Sequence, residues 1–479
     1  MILLASAALA ADVGGYLRVM TRPDFEGGDG RLGYWNLYGR LLNEGPYAAL
    51  ELRQSVLDPV PGSTQPWTDL HAKIEGGTVQ NADSGGGSLA YLRLSQLYVQ
   101  AGNVGLRDTT WRLGTLESNF GDLGLYDMRP AQVLFDTVGA QARYQTRALE
   151  LTAGAGDAGF NLKGSEYNTV LSAGATARVN IAGKLELGVG GQGYYEPEVV
   201  GNRYAPHDTP GVSYEDYLRG EVVQAYLDEN PGQLADFPSP AATDASSWKM
   251  VGYLGFGKLG PLRWNSLYAS YAQLHPDNFT SETVDGETVD IYITSLTDER
   301  TALLVGDEMQ WQLVPGRYDV VLAGLYGVHQ DGDNDLAPSD HDRTYMSAVL
   351  RNQVYLSPVV HLLVEGSVAQ EVSHNGNAYR NHVDSLFENT GGKADSEGLE
   401  YGDSDTRFTW QAKGGVVLNP LGPGIYTRPS LRLLYGLQYS TQNNAFGNSF
   451  VESLDEYNDF GNVERHYHSV LALETEAWF

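Results

Sequence analysis

The segment Tyr467-His468-Ser469-Val470-Leu471-Ala472-Leu473-Glu474-Thr475-Glu476-Ala477-Trp478-Phe479 closes the chain and decides how the rest is read. With the two-residue period of a strand, one face carries Tyr467, Ser469, Leu471, Leu473, Thr475, Ala477 and Phe479. The other carries His468, Val470, Ala472, Glu474, Glu476 and Trp478. The first face suits lipid and the second suits water. Either the apolar face points into the core of a soluble sandwich, or it faces a bilayer as part of a barrel wall. A barrel wall makes the further demand that the sheet close, because every backbone group at membrane depth must be paired.

Similar strand-like segments precede it near 13–21, 34–43, 46–55, 90–99, 109–116, 138–145, 148–155, 167–179, 184–195, 248–258, 262–273, 300–311, 317–329, 343–355, 359–371, 406–418 and 425–440. With the last strand they number about eighteen, an even count. The connections alternate in length. Asn43-Glu44-Gly45-Pro46, Thr146-Arg147, Asn180-Ile181-Ala182-Gly183, Leu259-Gly260-Pro261, Pro315-Gly316, Ser357-Pro358 and Asn419 to Gly424 are tight turns. Between them lie the polar stretches 22–33, 56–89, 117–137, 196–247, 274–299, 330–342, 372–405 and 441–464. A soluble sandwich has no reason to sort its loops by length. A membrane barrel does, with short turns facing the periplasm, long loops outside and both chain ends on the short-turn side. The expected fold is therefore all-β, a transmembrane antiparallel barrel of about 18 strands in a bacterial outer membrane, in contact with its lipids.

Composition agrees. The 479 residues include no cysteine, so there is no disulfide framework or thiolate metal site. Gly (57) and Tyr (30) recur throughout, which favours one repetitive β architecture over several domains. A net charge of −29 leaves no basic stripe for nucleic acid. No run reaches the ~20 apolar residues of a membrane-spanning helix. Residues 1–11, ending Ala8-Leu9-Ala10-Ala11, read as the remnant of a secretory signal peptide without its basic start, and 12–479 as a single barrel domain. In 425–440, Leu431, Leu433, Tyr435, Leu437 and Tyr439 share one face and Arg428, Ser430, Arg432, Gln438 and Ser440 the other, so the charged face is the lumen.

Several of these stretches, taken in order, resemble the maltoporin (sugar-specific porin) family. Asp12-Val13-Gly14-Gly15-Tyr16-Leu17-Arg18, Asn43 to Leu52, Arg263-Trp264-Asn265-Ser266-Leu267-Tyr268-Ala269, Thr344-Tyr345 through Pro358, Ile425 to Arg432 and the closing Glu476-Ala477-Trp478-Phe479 carry the likeness. The resemblance implies a homotrimeric passive diffusion channel for sugars or oligosaccharides, without cofactor, metal or catalytic activity. It implies an aromatic track down the pore at Tyr16, Tyr47, Trp264, Tyr426 and Trp478, with Trp67 the candidate for a sixth aromatic reaching in from a neighbouring subunit's loop. The physics of such a track is that the apolar face of a pyranose lies on an aromatic plane. Opposite it, Arg18, Arg40 and Arg93 match lumenal arginines and Asp127 an acid of the constriction loop (about 117–137).

The pattern departs at Ala49, Asn119 and Arg129, where the family carries an acid, an arginine and a tyrosine. Arg129 thus adds a cation to the constriction, which leaves open a different sugar or an anionic solute. Tyr435, Tyr439, Tyr467 and Phe479 have lipid-facing parity and read as interfacial girdle residues. Asp331-Gly332-Asp333-Asn334-Asp335 opens like a calcium loop but has Leu336 in the glycine position, and reads as a solvated loop tip. His341 between Asp340 and Asp342, and His466 and His468 near Glu464, belong to no ordered catalytic motif. Two further readings stand beside the sugar channel. One is a general or anion-preferring porin whose arginines set a transverse field. The other is a barrel reused as a structural or adhesive platform, with long loops 196–247 and 372–405 binding a partner.

Overall fold

In the computed structural model, eighteen strands form one antiparallel sheet that closes on itself. The structure describes residues 11–23, 32–33, 36–58, 64–77, 92–159, 169–197, 245–273, 279–284, 287–292, 300–331, 343–373, 406–441 and 466–479. In chain order the barrel strands are β1 (Ala11–Thr21), β2 (Tyr47–Leu57), β3 (Trp67–Gly77), β4 (Arg93–Gly102), β5 (Thr109–Thr115), β6 (Val138–Gln145), β7 (Leu149–Asp157), β8 (Leu171–Ile181) and β9 (Leu185–Glu196). They continue as β10 (Ala245–Leu259), β11 (Leu262–Gln273), β12 (Arg300–Val314), β13 (Tyr318–Asp331), β14 (Arg343–Tyr355), β15 (Val360–Ser373), β16 (Thr406–Leu418), β17 (Ser430–Ser440) and β18 (Tyr467–Trp478).

Each strand pairs with its neighbours in sequence, and β1 closes the ring by pairing with β18, Tyr16 opposite Trp478 and Thr21 opposite Leu473. No strand edge is left for lipid to meet. Alternation then sorts the side chains. Along β18, Tyr467, Leu471 and Leu473 are exposed outward while His468, Glu474 and Glu476 are buried inward. Along β17, Leu431, Leu433 and Tyr435 face out and Arg432 and Gln438 face in.

Two elements differ from the sequence expectation, and they compensate in the strand count. The described part of the stretch 34–43 is not a strand: a 3-10 turn at Asn36–Tyr38 and the turns that follow it carry the β1–β2 connection into the lumen, and Asn43 to Pro46 end that long connection rather than turning a hairpin. Conversely, 56–89 is not one loop, because it contains β3. β17 begins at Ser430, so Tyr426 and Arg428 belong to the β16–β17 connection rather than to a strand. β1 begins at Ala11, one residue inside the segment assigned to the leader. The calcium-like loop beyond Asp331, the Asp340-His341-Asp342 run, Glu464 and most of loops 196–247 and 372–405 lie outside the described residues.

The lumen is not uniformly polar either. Inward Val251, Tyr253, Tyr268, Val321, Leu325, Tyr345 and Val349 form an apolar wall on which Leu37 and Tyr38 of the β1–β2 connection pack. Phe120, Leu123, Leu125, Tyr126 and Leu134 of the β5–β6 connection pack on the same wall. A second cluster joins Leu32, Leu41 and Leu42 to Leu363, Val417, Leu434, Val470 and Ala472, so part of the β18 face read as suited to water is covered by protein. Burying such side chains contributes about 1.5–3 kcal/mol each, enough to hold both connections inside the barrel.

The seam depends on close approach. Gly15 and Phe479 exchange backbone hydrogen bonds at 2.9 and 3.1 Å, and a Cβ on Gly15 would lie 2.5 Å from the Phe479 ring and 2.6 Å from the Ala49 carbonyl. Gly15→Val is expected to destabilise the barrel by about 1–3 kcal/mol through overpacking, read as a lower urea midpoint of the heat-modifiable band in vesicles. An unchanged midpoint would show that the seam is looser than this packing.

Candidate functional site

Inside the ring, the two inward connections touch: Arg40 N donates to the Leu125 carbonyl at 2.8 Å. Each is tied to the wall behind it. Lys413 Nζ donates to the Tyr38 carbonyl at 2.9 Å, Tyr38 OH to Glu371 at 2.6 Å, and Asn43 Nδ2 to Gln411 at 3.0 Å. On the other connection Leu125 N donates to Glu308 Oε2 at 2.8 Å and Leu134 N to Gln192 at 2.7 Å, while Tyr126 OH and Ser347 share a hydrogen bond at 2.8 Å. Among them, the Tyr38 carbonyl, Leu125 N and Leu134 N are backbone groups that would otherwise be buried without partners.

Where the connections meet β1 and β18, a network of arginines and carboxylates forms. Glu476, 2% exposed, is paired with Arg428, Arg432 and, at 3.0 Å, Arg40 Nη2, and it accepts from Tyr16 OH. Glu44 pairs with Arg18 and, at 3.1 Å, with Arg40 Nε. Asp127 lies 3.8 Å from Arg40 and 3.9 Å from Arg18. Its backbone is left-handed (φ 53°), a conformation Asp tolerates, and it turns the carboxylate back toward the arginines.

Burial pushes the Glu44 carboxyl up to about 7, exceeding the opposing pull of Arg18 and Arg40. Burial acts on Asp127 in the same sense, but Arg40, the hydrogen bond with Glu44 and Arg18 together hold it below the usual carboxylate range. The pair thus divides its roles, with Asp127 ionised and Glu44 titrating near neutrality.

This network forms one side of a cavity of about 360 Å³. Eight of the residues singled out from the sequence line it: Tyr16, Tyr47, Tyr426, Trp478, Arg18, Arg40, Asp127 and Arg129. Tyr16 is central, its ring 4.6 Å from Trp478 and 5.6 Å from Tyr47 between centroids. Tyr426 enters from the β16–β17 connection, donates to Glu308 at 2.8 Å and packs on Gly124, where a Cβ would lie 2.8 Å from its ring. The lining also holds Glu51, Lys73, Asp122, Gln310 and Arg428. Its cations Arg18, Arg40, Lys73, Arg129 and Arg428 number five, as do its carboxylates Glu51, Asp122, Asp127, Glu308 and Glu476, so the lining is balanced in formal charge.

Three expected residues lie elsewhere. Arg93 is 3.8 Å from Glu75, which accepts from Tyr47 at 2.6 Å, so it stands one contact away from the cavity. Trp264 faces the lumen on β11 and donates to Tyr253 OH at 3.2 Å, apart from the other track residues. Trp67 is not a long-loop residue; it opens β3 at the short-turn rim and packs against Gly102. The departures from the family pattern also acquire local reasons. Arg129 is flanked by Glu117 and Asp122, each at 3.4 Å, so the added cation is largely neutralised within its own connection. Asn119 donates to Asp122 at 2.9 Å and accepts from Gly121 N at 3.3 Å, fixing the bend that presents it.

Sequence reasoning missed a lower station on the same wall. His71 and Tyr98 stack with centroids 4.6 Å apart, Arg112 lies over the Tyr98 ring at 3.9 Å, and Arg53 pairs with Asp69 at 2.7 Å. The alternation Asp69, His71, Lys73, Glu75 against Leu70, Ala72, Ile74 was the available signal.

The chain matches no protein-family model and none of the curated proteins. Among solved structures it is similar to the outer membrane channel DcaP of Acinetobacter baumannii, at 14% identity over 77% of this chain and 93% of that one, with a TM-score of 0.41. OccAB1 of Acinetobacter baumannii matches at 10% identity over 98% and 96%, TM-score 0.44, and OprB of Pseudomonas putida at 12% over 98% and 94%, TM-score 0.41. These are likenesses of barrel architecture.

Glu476→Gln is expected to cost about 3–5 kcal/mol of barrel stability, because it leaves buried arginines without their shared partner; urea unfolding in vesicles reads it, and a loss below 1 kcal/mol would contradict the network. Titration of Glu44 sets a pH dependence with a definite sign. The group is neutral below about 7 and ionised above it, so cation selectivity is expected to rise between pH 6 and pH 8. Reversal potentials in a KCl gradient measure this, and Glu44→Gln is expected to abolish the change.

Proposed function

We propose that this chain is a passive channel of a bacterial outer membrane, selective for sugars or oligosaccharides. The carrying observation is the juxtaposition of the Tyr16, Tyr47 and Trp478 rings with a constriction whose formal charges balance. Rings in series offer a pyranose several weak, similar stacking positions. Fixed guanidinium and carboxylate groups opposite them supply strong hydrogen bonds to hydroxyls without favouring a net charge. The outward apolar face and closed sheet support the membrane setting, with the short-turn rim and both termini toward the periplasm. Assembly as a homotrimer accompanies this reading by resemblance to the maltoporins.

A second reading, an anion-preferring channel, draws support from Arg112 over Tyr98 and from Arg53 and Arg143 along the lumen beneath the constriction. Planar-bilayer recording separates the two. Maltodextrins or another neutral oligosaccharide are expected to block the current, and Tyr16→Ala with Trp478→Ala to weaken block about tenfold, equivalent to ~1.4 kcal/mol. Current that no oligosaccharide blocks, together with a reversal potential favouring chloride, would replace the sugar reading with the anion one.

A further inference from the structure

On the outer wall, small residues stand side by side in register across four strands. Ala142 of β6, Ala153 of β7, Ala175 of β8 and Gly191 of β9 form one outward rung, flanked by Trp111 of β5 and Met250 of β10. The next outward rung repeats the pattern with Ala140, Ala155, Ala173 and Gly193, and a Cβ on Gly193 would meet nothing within 4 Å. Paired strands lie about 4.8 Å apart, so four small residues in a row open a broad recess between the large flanking side chains. It measures about 720 Å³ and reaches Leu106 in the β4–β5 turn.

The short turns at the end of the same strands are basic, in a chain whose net charge is −29. Arg107, Arg147, Lys184 and Lys258 are exposed in four successive short turns. Backbone hydrogen bonds join these turns into a row: Gln145 N to the Asp108 carbonyl at 2.9 Å, Asn180 N to the Ala148 carbonyl at 2.8 Å, and Gly257 N to the Lys184 carbonyl at 3.0 Å. Arg107 lies 3.7 Å from Asp108, whereas Arg147, Lys184 and Lys258 have no carboxylate partner among the described residues. Cations are kept off the wall itself. Away from strand ends, Asp307 of β12, which accepts from Asn265 at 2.7 Å, is the one described Asp, Glu, Lys or Arg of the barrel strands that points outward.

We infer that recess and rim together bind an anionic phospholipid of the leaflet that borders the short turns, its acyl chains in the recess and its phosphate on the basic row. An acyl chain seated between Trp111 and Met250 touches protein on several sides, where a flat wall would touch it on one. Exposed guanidinium and ammonium groups without carboxylates meet a phosphate without giving up a protein partner, and at the membrane surface they attract anionic head groups. A zwitterionic lipid offers the same tails, but its own ammonium opposes the row. Net charge therefore decides which lipid is held. The site presupposes the membrane setting proposed above and is independent of which solute the lumen passes.

Photolabelling of the full-length protein in phosphatidylcholine vesicles tests this, with a trace of phosphatidylglycerol or, separately, phosphatidylcholine carrying a diazirine in its acyl chain. Mass spectrometry maps the adducts. The phosphatidylglycerol probe is expected to label β7 and β8 at least fivefold more than the phosphatidylcholine probe, and both to label β15, where Val364 and Val368 are exposed, equally. Combining Arg107→Gln, Arg147→Gln, Lys184→Gln and Lys258→Gln is expected to remove the excess, as is 1 M salt through screening. Ala153→Leu with Ala175→Leu, which fills the recess and keeps every cation, is expected to reduce phosphatidylglycerol labelling of β7 and β8 at least fivefold. Heat-modifiable mobility verifies that each variant is folded. Equal labelling by the two probes, an excess that survives charge removal, or a recess unlabelled while β15 is labelled, as a covering protein would leave it, would each overturn the lipid site. Failure of both probes to label β15 would instead remove the membrane setting, and the site with it.

Discussion

Everything in this molecule follows from the cost of an unpaired backbone group in hydrocarbon. The ring has to close, and it closes where β1 meets β18 and Phe479 exchanges hydrogen bonds with Gly15. Closure fixes the parity of every strand, and parity sends the charged side chains inward, with Asp307 the exception among the described strand residues away from strand ends. A ring of eighteen strands is also too wide for its own side chains to fill. The β1–β2 and β5–β6 connections fill part of it, which is why inward positions such as Val321, Val349 and Val470 are apolar in a channel-like lumen.

Bringing the connections inside buries charge, and charge dictates how they sit. Arg18 of β1, Arg432 of β17, and Arg40 and Arg428 of two connections converge on Glu44, Asp127 and Glu476. An unmatched member of such a set is costly, whereas the matched set tolerates few alternative arrangements. The network therefore works as a register pin. It sets Tyr16 against Trp478 and presents Asp127 to the cavity, beside the apolar packing of the inner wall.

Much of this was legible. The parity of β18 assigned Glu476 and Trp478 to the lumen, and the sorting of connections by length indicated a barrel. The stretch 34–43 misled because Tyr34-Trp35-Asn36-Leu37-Tyr38 followed by Gly45-Pro46 carries the same apolar, turn-bounded pattern as a strand, and only burial against the inner wall distinguishes the two. β3 was overlooked although Leu70, Ala72 and Ile74 alternate with Asp69, His71, Lys73 and Glu75, because long polar stretches flank it. The consecutive acids Asp307-Glu308 were a signal of another kind. In a strand, one of two adjacent charges has to face outward.

By itself the sequence determined the closed β architecture, the face of most strands and the residue types gathered for the lumen, because a period of two and turn chemistry are local properties. Only the tertiary structure decided which residues meet. That Arg129 is offset by Glu117 and Asp122, that Tyr426 reaches the cavity from a connection while Trp67 and Trp264 stay away, and that Asp307 and Asn265 share the outer wall are consequences of register and of loops folding inward. Those depend on contacts hundreds of residues apart, such as Tyr16 with Glu476, and no local pattern encodes them.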